Sequence, residues 1–191
     1  MAVGTVLVTG VHREELEFGD RVAARIEGGD IEVLRIPKGV PQRCTDVDQQ
    51  FQYETRQREL YLQLHQQVKG RYALLIDLHS GFDENGPGAD LYCHESALLD
   101  CVGSSLDRGG PGDDVRLIRI VAADENADAG ARHGRIEAGA RTGIPPVIWG
   151  GGTPLYVGLE IYLPDDRGGI RAAEVLAHRL IDRIRRCGGA S

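Results

Sequence analysis

Two histidines and a glutamate are the residues of this chain whose types and spacing best suit chemistry. The stretch Thr9-Gly10-Val11-His12-Arg13-Glu14-Glu15 follows a short apolar run, Thr5-Val6-Leu7-Val8, so His12 and Glu15 stand three residues apart at an expected strand end. Across a strand-to-helix turn that spacing brings one ring nitrogen and one carboxylate to a common point. His79 closes a second apolar run, Ala73-Leu74-Leu75-Ile76-Asp77-Leu78-His79, and can supply a third donor. Two histidines and one carboxylate, with a fourth position left to water, form a catalytic zinc set. Zinc there lowers the pKa of its water toward neutrality and polarises a carbonyl. Asp77 precedes His79 by two residues, so in a regular strand both side chains point the same way, and Asp77 is placed to orient a ligand from behind. The expectation is one Zn2+ per chain on His12, Glu15 and His79. A lone His-x-x-Glu is a weak signal. Its combination with Asp-x-His at another strand end is the rarer event.

The elements around these residues alternate between strands and helices. Residues 4–10, 31–37, 71–81, 113–122, 145–151 and 155–164 read as strands, with a further short one beginning near Ala89. Residues 14–27, 49–70 and 168–189 read as helices, as does the stretch from Ser96 to Leu106; Gly19 weakens the first of them. Residues 123–145, rich in Ala, Gly, Asp and Arg, give no clear pattern. This order implies a three-layer α/β/α sandwich around a central mixed, largely parallel sheet. In such sheets ligands bind beyond the carboxyl ends of strands, where both His12 and His79 fall. The 191 residues suit a single catalytic domain spanning 1–191.

Composition narrows the classes of partner. The formal net charge of −7 argues against a nucleic-acid surface or an anionic membrane as the main partner. No stretch approaches the roughly 18–20 apolar residues that span a bilayer. The N-terminus reads as a first strand rather than a signal peptide, so the cytoplasm is the expected location. Cys44, Cys93, Cys101 and Cys187 are widely spaced and form no CxxC pair, and reduced, buried thiols are expected.

Three blocks resemble the succinylglutamate desuccinylase/aspartoacylase family, part of the wider zinc carboxypeptidase clan. They are Gly10-Val11-His12-Arg13-Glu14-Glu15, Asp77-Leu78-His79 after an apolar strand, and, more loosely, Gly158-Leu159-Glu160-Ile161. The resemblance implies zinc on His12, Glu15 and His79, with Glu160 as general base and acid. The length implies a short member carrying the catalytic domain without the family's C-terminal β-rich domain. The family's Asn-Arg pair, which binds the substrate carboxylate or carbonyl, is not matched: Asp48 and Gln49 stand in those places.

A replacement anchor is therefore sought among the arginines, whose planar fork suits carboxylates better than lysine does. Arg56 lies close to the unmatched segment. Arg132 comes with Arg135 and Arg141 around His133, either as a solvated loop or as an anion pocket. Arg56 and Arg132 are the expected substrate-binding residues. His94 reads as a helix-start histidine, and His65 and His178 as surface or packing residues. Glu160 is either an edge carboxylate facing water or a general base, since a charge inside an apolar strand is costly unless paired or functional.

The function expected is zinc-dependent hydrolysis of an amide bond in an N-acyl amino acid or small peptide. An N-formylglutamate amidohydrolase-like or carboxypeptidase-like activity is the alternative enzyme. A catalytically silent domain binding metal or a small acid is the alternative of a different class. The oligomeric state is open.

Overall fold

A computed structural model describes residues 4–26, 31–42, 47–84, 86–107, 114–122 and 136–189. Its centre is one seven-stranded sheet. The strands are β1 (Thr5–Thr9), β2 (Ile31–Arg35), β3 (Leu74–Phe82), β4 (Gly88–Cys93), β5 (Asp114–Ile120), β6 (Ile136–Ala140) and β7 (Leu155–Leu163). Their order is β2-β1-β3-β7-β4-β5-β6, with β4 antiparallel to β7 and every other pair parallel. The helices are α1 (Leu16–Ala23), α2 (Val47–Val68), α3 (Ser96–Asp107), α4 (Pro146–Trp149) and α5 (Arg167–Gly188). A 3-10 turn, Arg13–Glu15, leads into α1.

Alternation along the strands divides the core into two apolar layers. Leu7, Leu74, Ile76, Leu78, Val157 and Leu159 pack beneath α1, α3 and α5. Val6, Val8, Leu75, Ile120 and Tyr156 pack beneath α2 and α4. β1, β3 and β7 are covered on both faces, which is why they read as nearly continuous apolar runs. Helix α5 is capped by the Asp166 side chain, which accepts from the Gly169 N–H at 2.8 Å. It buries Ala173, Leu176, Ala177, Leu180, Ile181 and Ile184. Leu180 is fully buried, a position where truncation to alanine costs about 2–5 kcal/mol.

Two glycines make the first crossover. Gly10 has φ +79°, and it turns the chain out of β1 toward His12. Gly19, within α1, lets the helix close on β1: a Cβ there would lie 2.7 Å from that of Thr9. Packing thus outweighs the poor helix propensity of glycine at this position.

Two expectations are corrected, and one stretch left open by the sequence gains an element. Residues 145–151 do not extend a strand. Pro145 and Pro146 lack the N–H groups a ladder needs, and Pro146 instead starts the single turn of α4, with the Trp149 indole donating to the Ile144 carbonyl at 2.9 Å. The stretch without a clear pattern contains a strand, β6, paired with β5. Cys101 and Cys187 are not thiols but a disulfide joining α3 to α5. Their separation of 86 residues gave no local pattern, and only the docking of α5 on α3 brings them together. In the chain-entropy view, closing so long a loop restrains the unfolded chain by roughly 4–5 kcal/mol. Cys93 is a free buried thiol whose pKa burial pushes up to about 12. Cys44 lies outside the described residues. Among those described, no helix is long and apolar enough to cross a membrane.

Candidate metal centre

The site sits on the α2 side of the sheet, at the carboxyl ends of β1, β3 and β7. The alternation that buries Leu75 toward α2 carries Asp77 and His79 to the same side. Gly10 releases the chain from β1, and His12 then forms an isolated parallel bridge with Val40. The following 3-10 turn, closed by the Glu15 N–H donating to the His12 carbonyl at 3.1 Å, folds Glu15 back beneath the histidine.

The three expected ligands meet. One donor atom from each of His12, Glu15 and His79 lies within 4.8 Å of the others. The Glu15 carboxylate stands between the rings, with Oε1 2.8 Å from His12 Nδ1 and Oε2 3.0 Å from His79 Nδ1. Each ring keeps Nε2 for a partner behind it. His12 Nε2 lies 3.2 Å from the Tyr53 hydroxyl, and His79 Nε2 lies 3.0 Å from Asp77 Oδ2. Gln42 Nε2 donates to Glu15 Oε1 at 3.2 Å and to the Ser80 carbonyl at 3.1 Å. Two ring nitrogens and a carboxylate, each oriented by an outer partner and facing a cavity, are a donor set able to hold a divalent metal ion.

Asp77 is the centre of the support. It is fully buried, and its Oδ2 accepts from the Tyr61 hydroxyl at 2.8 Å and the Tyr156 hydroxyl at 3.0 Å besides facing His79. Burial raises the pKa of this carboxyl, but His79 and the two hydroxyls outweigh it and hold it below the usual carboxylate range. Burial likewise opposes charge on His79, yet Asp77 and Glu15 lift its ring well above the usual histidine range in the metal-free protein. Burial raises Glu15 too, and the two histidines more than offset it, leaving the carboxyl below its ordinary value. Glu15 and His79 thus both favour their charged forms, and a cation binding between them would release the proton on His79.

Glu160 lies on β7 in the middle of the sheet, not at an edge. The parallel ladder sets it beside His79 and the antiparallel ladder sets it beside Asp90. Its side chain lines the cavity that holds the three candidate ligands. Burial raises its pKa, with Asp90 and Glu15 adding to the rise and His79 and His12 opposing it. A carboxyl shifted upward in a cavity is better matched to accepting and returning a proton than an ordinary one. Asp90 is itself buried and fully engaged, gripped by Arg116 through two 2.6 Å bonds and by the Tyr92 and Tyr162 hydroxyls at 3.0 and 2.9 Å.

The expected substrate arginines are placed differently. Arg56 is exposed on α2 and lines a neighbouring depression rather than the cavity. Arg132 lies outside the described residues. Arg141, a member of the same arginine group, does line the cavity, together with Thr142 and Ile144. Tyr53, Tyr61 and Tyr156 carried no signal in the sequence: tyrosines at unrelated positions become partners only once α2 and β7 dock beside β3. His94 lies between β4 and α3, with Nδ1 3.0 Å from the Ile120 carbonyl and its ring against Trp149.

No protein-family model and no curated protein sequence matches this chain. Solved structures do. A point mutant of murine aminoacylase 3 aligns with TM-score 0.56 at 13% identity, covering 99% of this chain and 66% of that one. Murine aminoacylase 3 itself aligns with TM-score 0.53 at 14% identity, with the same coverage. The CwlD amidase from Clostridioides difficile, in complex with the GerS lipoprotein, aligns with TM-score 0.50 at 9% identity, covering 98% of this chain and 100% of that one. This chain thus spans just under two thirds of the length of the aminoacylase structures. At these identities the likeness establishes the fold, an α/β sandwich of the kind these hydrolases share.

Proposed function

We propose that this chain is a zinc-dependent hydrolase of amide bonds, acting on an N-acyl amino acid or a small peptide. The observation that carries the reading is the meeting of His12, Glu15 and His79 in one cavity that Glu160 also lines. Two fold neighbours bear the names of an aminoacylase and an amidase, and the resemblance to the aspartoacylase family points the same way.

When bound by His12, Glu15 and His79, zinc would polarise the scissile carbonyl and acidify a water. The residues of the chain do the rest. Asp77 accepts from His79 Nε2–H and so fixes the tautomer that leaves Nδ1 free as a donor, and Tyr53 plays the corresponding part behind His12. The Glu160 carboxylate takes the proton of the attacking water as the C–O bond forms. It returns that proton to the amide nitrogen as the C–N bond breaks, so that a carboxylic acid and an amine leave. Arg141, at the opposite wall, supplies positive charge for a substrate carboxylate. The cavity, about 240 Å³, has room for one acyl group or side chain rather than a folded segment.

The test begins with metal. Purified protein is expected to hold about one zinc per chain, and His79→Ala to lose most of it. Full occupancy in both His12→Ala and His79→Ala would overturn the centre. A panel of N-acyl amino acids and short peptides then tests turnover in chelated and zinc-restored protein. Silence of the zinc-loaded protein across the panel would leave a binding module in place of an enzyme.

A further inference from the structure

Beside the cavity lies a second depression, and its lining is basic. Arg13, Lys38 and Arg56 line it, with Glu59 as the acidic member. The elements that build the metal centre also fix its position. His12 faces the cavity, and Arg13, the next residue, lines the depression. On α2, Gln57 and Tyr61 line the cavity, while Arg56 and Leu60, one residue earlier in each case, line the depression. One residue is about 100° around a helix, so the two hollows share α2 as a corner. The 37–41 segment forms the far side, held to the turn by the Arg13 N–H donating to the Val40 carbonyl at 3.0 Å.

The charges here are unspent. Arg21, Arg25, Arg35, Arg71, Arg116 and Arg186 each pair with an aspartate or glutamate. Arg13, Lys38 and Arg56 make no side-chain hydrogen bond or ion pair among the described residues. The acid adjacent in sequence, Glu14, is turned away and accepts from the Gln42 N–H at 3.0 Å. In a chain of net charge −7, three unpaired cations around one hollow create a local field opposite in sign to the whole.

We propose that this depression is a second anion subsite, which takes an acidic group of the substrate lying beyond the scissile amide. The preferred substrates are then acidic peptides or acyl peptides whose carboxylates fall on at least two residues, not single acyl amino acids. The catalytic meaning of the subsite rests on the hydrolase reading above, but anion binding there does not.

The test is a calorimetric titration of linear tetraglutamate and of N-acetylglutamate onto zinc-loaded protein, in a Glu160→Gln background that prevents turnover. The triple variant Arg13→Gln/Lys38→Gln/Arg56→Gln is compared in the same background. All three positions are exposed, and circular dichroism with zinc content checks the fold. The expected result is a loss of roughly tenfold in tetraglutamate affinity in the triple variant, with N-acetylglutamate unchanged, since each exposed ion pair contributes modestly. The tetraglutamate advantage also shrinks at about 0.5 M salt, where screening is short-ranged. Should the triple variant misfold, Arg56→Gln alone, on an exposed helix face, is expected to lose a few-fold. Unchanged tetraglutamate affinity in a folded variant overturns the subsite. Failure of the hydrolase reading appears separately, as silence of the otherwise native, zinc-loaded protein across the substrate panel above, and leaves the binding result standing.

Discussion

On the β1–β3 side of the cavity every functional group is held from more than one direction, whereas on the β6–α4 side the polar groups stand nearly alone. Glu15 is fixed by two histidines and Gln42, and His79 is fixed between Glu15 and Asp77. Asp77 is in turn held by two buried tyrosines. Across the cavity, Arg141 is exposed and pairs with nothing among the described residues. Thr142 bonds only locally, accepting from the Ile144 N–H at 3.1 Å. The contrast matches what the proposed function asks of each side. A metal site depends on ligand geometry held to fractions of an ångström, while recognition of a carboxylate by an exposed guanidinium tolerates adjustment.

Glu160, on β7 between the two sides, offers the sharpest probe of the chemistry they share. Glu160→Gln keeps the shape and removes the base. It is expected to cut kcat by about 10²–10⁴-fold while zinc content stays that of the native protein. Near-normal turnover would move the base elsewhere.

Asp77→Asn tests the support one step back. It removes the charge, and its amide nitrogen takes either the Oδ2 place, facing both tyrosine hydroxyls and His79 Nε2–H, or the Oδ1 place, which has no hydrogen-bond partner among the described residues. Zinc affinity, measured by competition with a chelator, is expected to fall about 10–100-fold, with full occupancy restored by excess metal. Unchanged affinity would mean that His79 is oriented without Asp77, and the two walls would then differ less than they do on this account.

The smallest effect belongs to the open wall. Arg141→Ala is expected to raise KM for an acidic substrate by about tenfold and to leave an uncharged amide untouched, as suits a partly solvated charge contact. Equal losses on both substrates would make Arg141 a structural residue and remove the asymmetry.

The same division explains what the sequence disclosed. The candidate metal side was legible because its parts are local: His12 and Glu15 share one turn, and Asp77 and His79 share one strand face. The apolar run of β3 read as a strand buried on both faces, and the histidines that follow the runs of β1 and β3 placed the site at their carboxyl ends. The open side is assembled from segments whose neighbours are set by strand order, which no local pattern records. Ile120, Arg141 and Ile144 meet the metal side only because β4 inserts antiparallel to β7 and carries β5 and β6 outward beyond it. The turn of α4 is too short to show a helical period, and its apolar Val147-Ile148-Trp149 imitated a strand. The disulfide was hidden for the same reason, since its two cysteines are neighbours only in space.

That disulfide has a consequence for the chain as a connected object. The bond from Cys101 to Cys187 closes a covalent ring that includes β5, β6, α4 and β7 and excludes β1 and β3. Arg141 and Glu160 therefore ride on the ring, while His12, Glu15 and His79 belong to the open length of chain before it. One backbone cut between residues 102 and 186 leaves both fragments tethered, so a nicked molecule migrates whole on a denaturing gel until a reductant is added. A cut ahead of Cys101 separates the fragments at once. Of the cavity's two walls, the one less tightly knit by hydrogen bonds is the one that cannot be severed by a single cleavage.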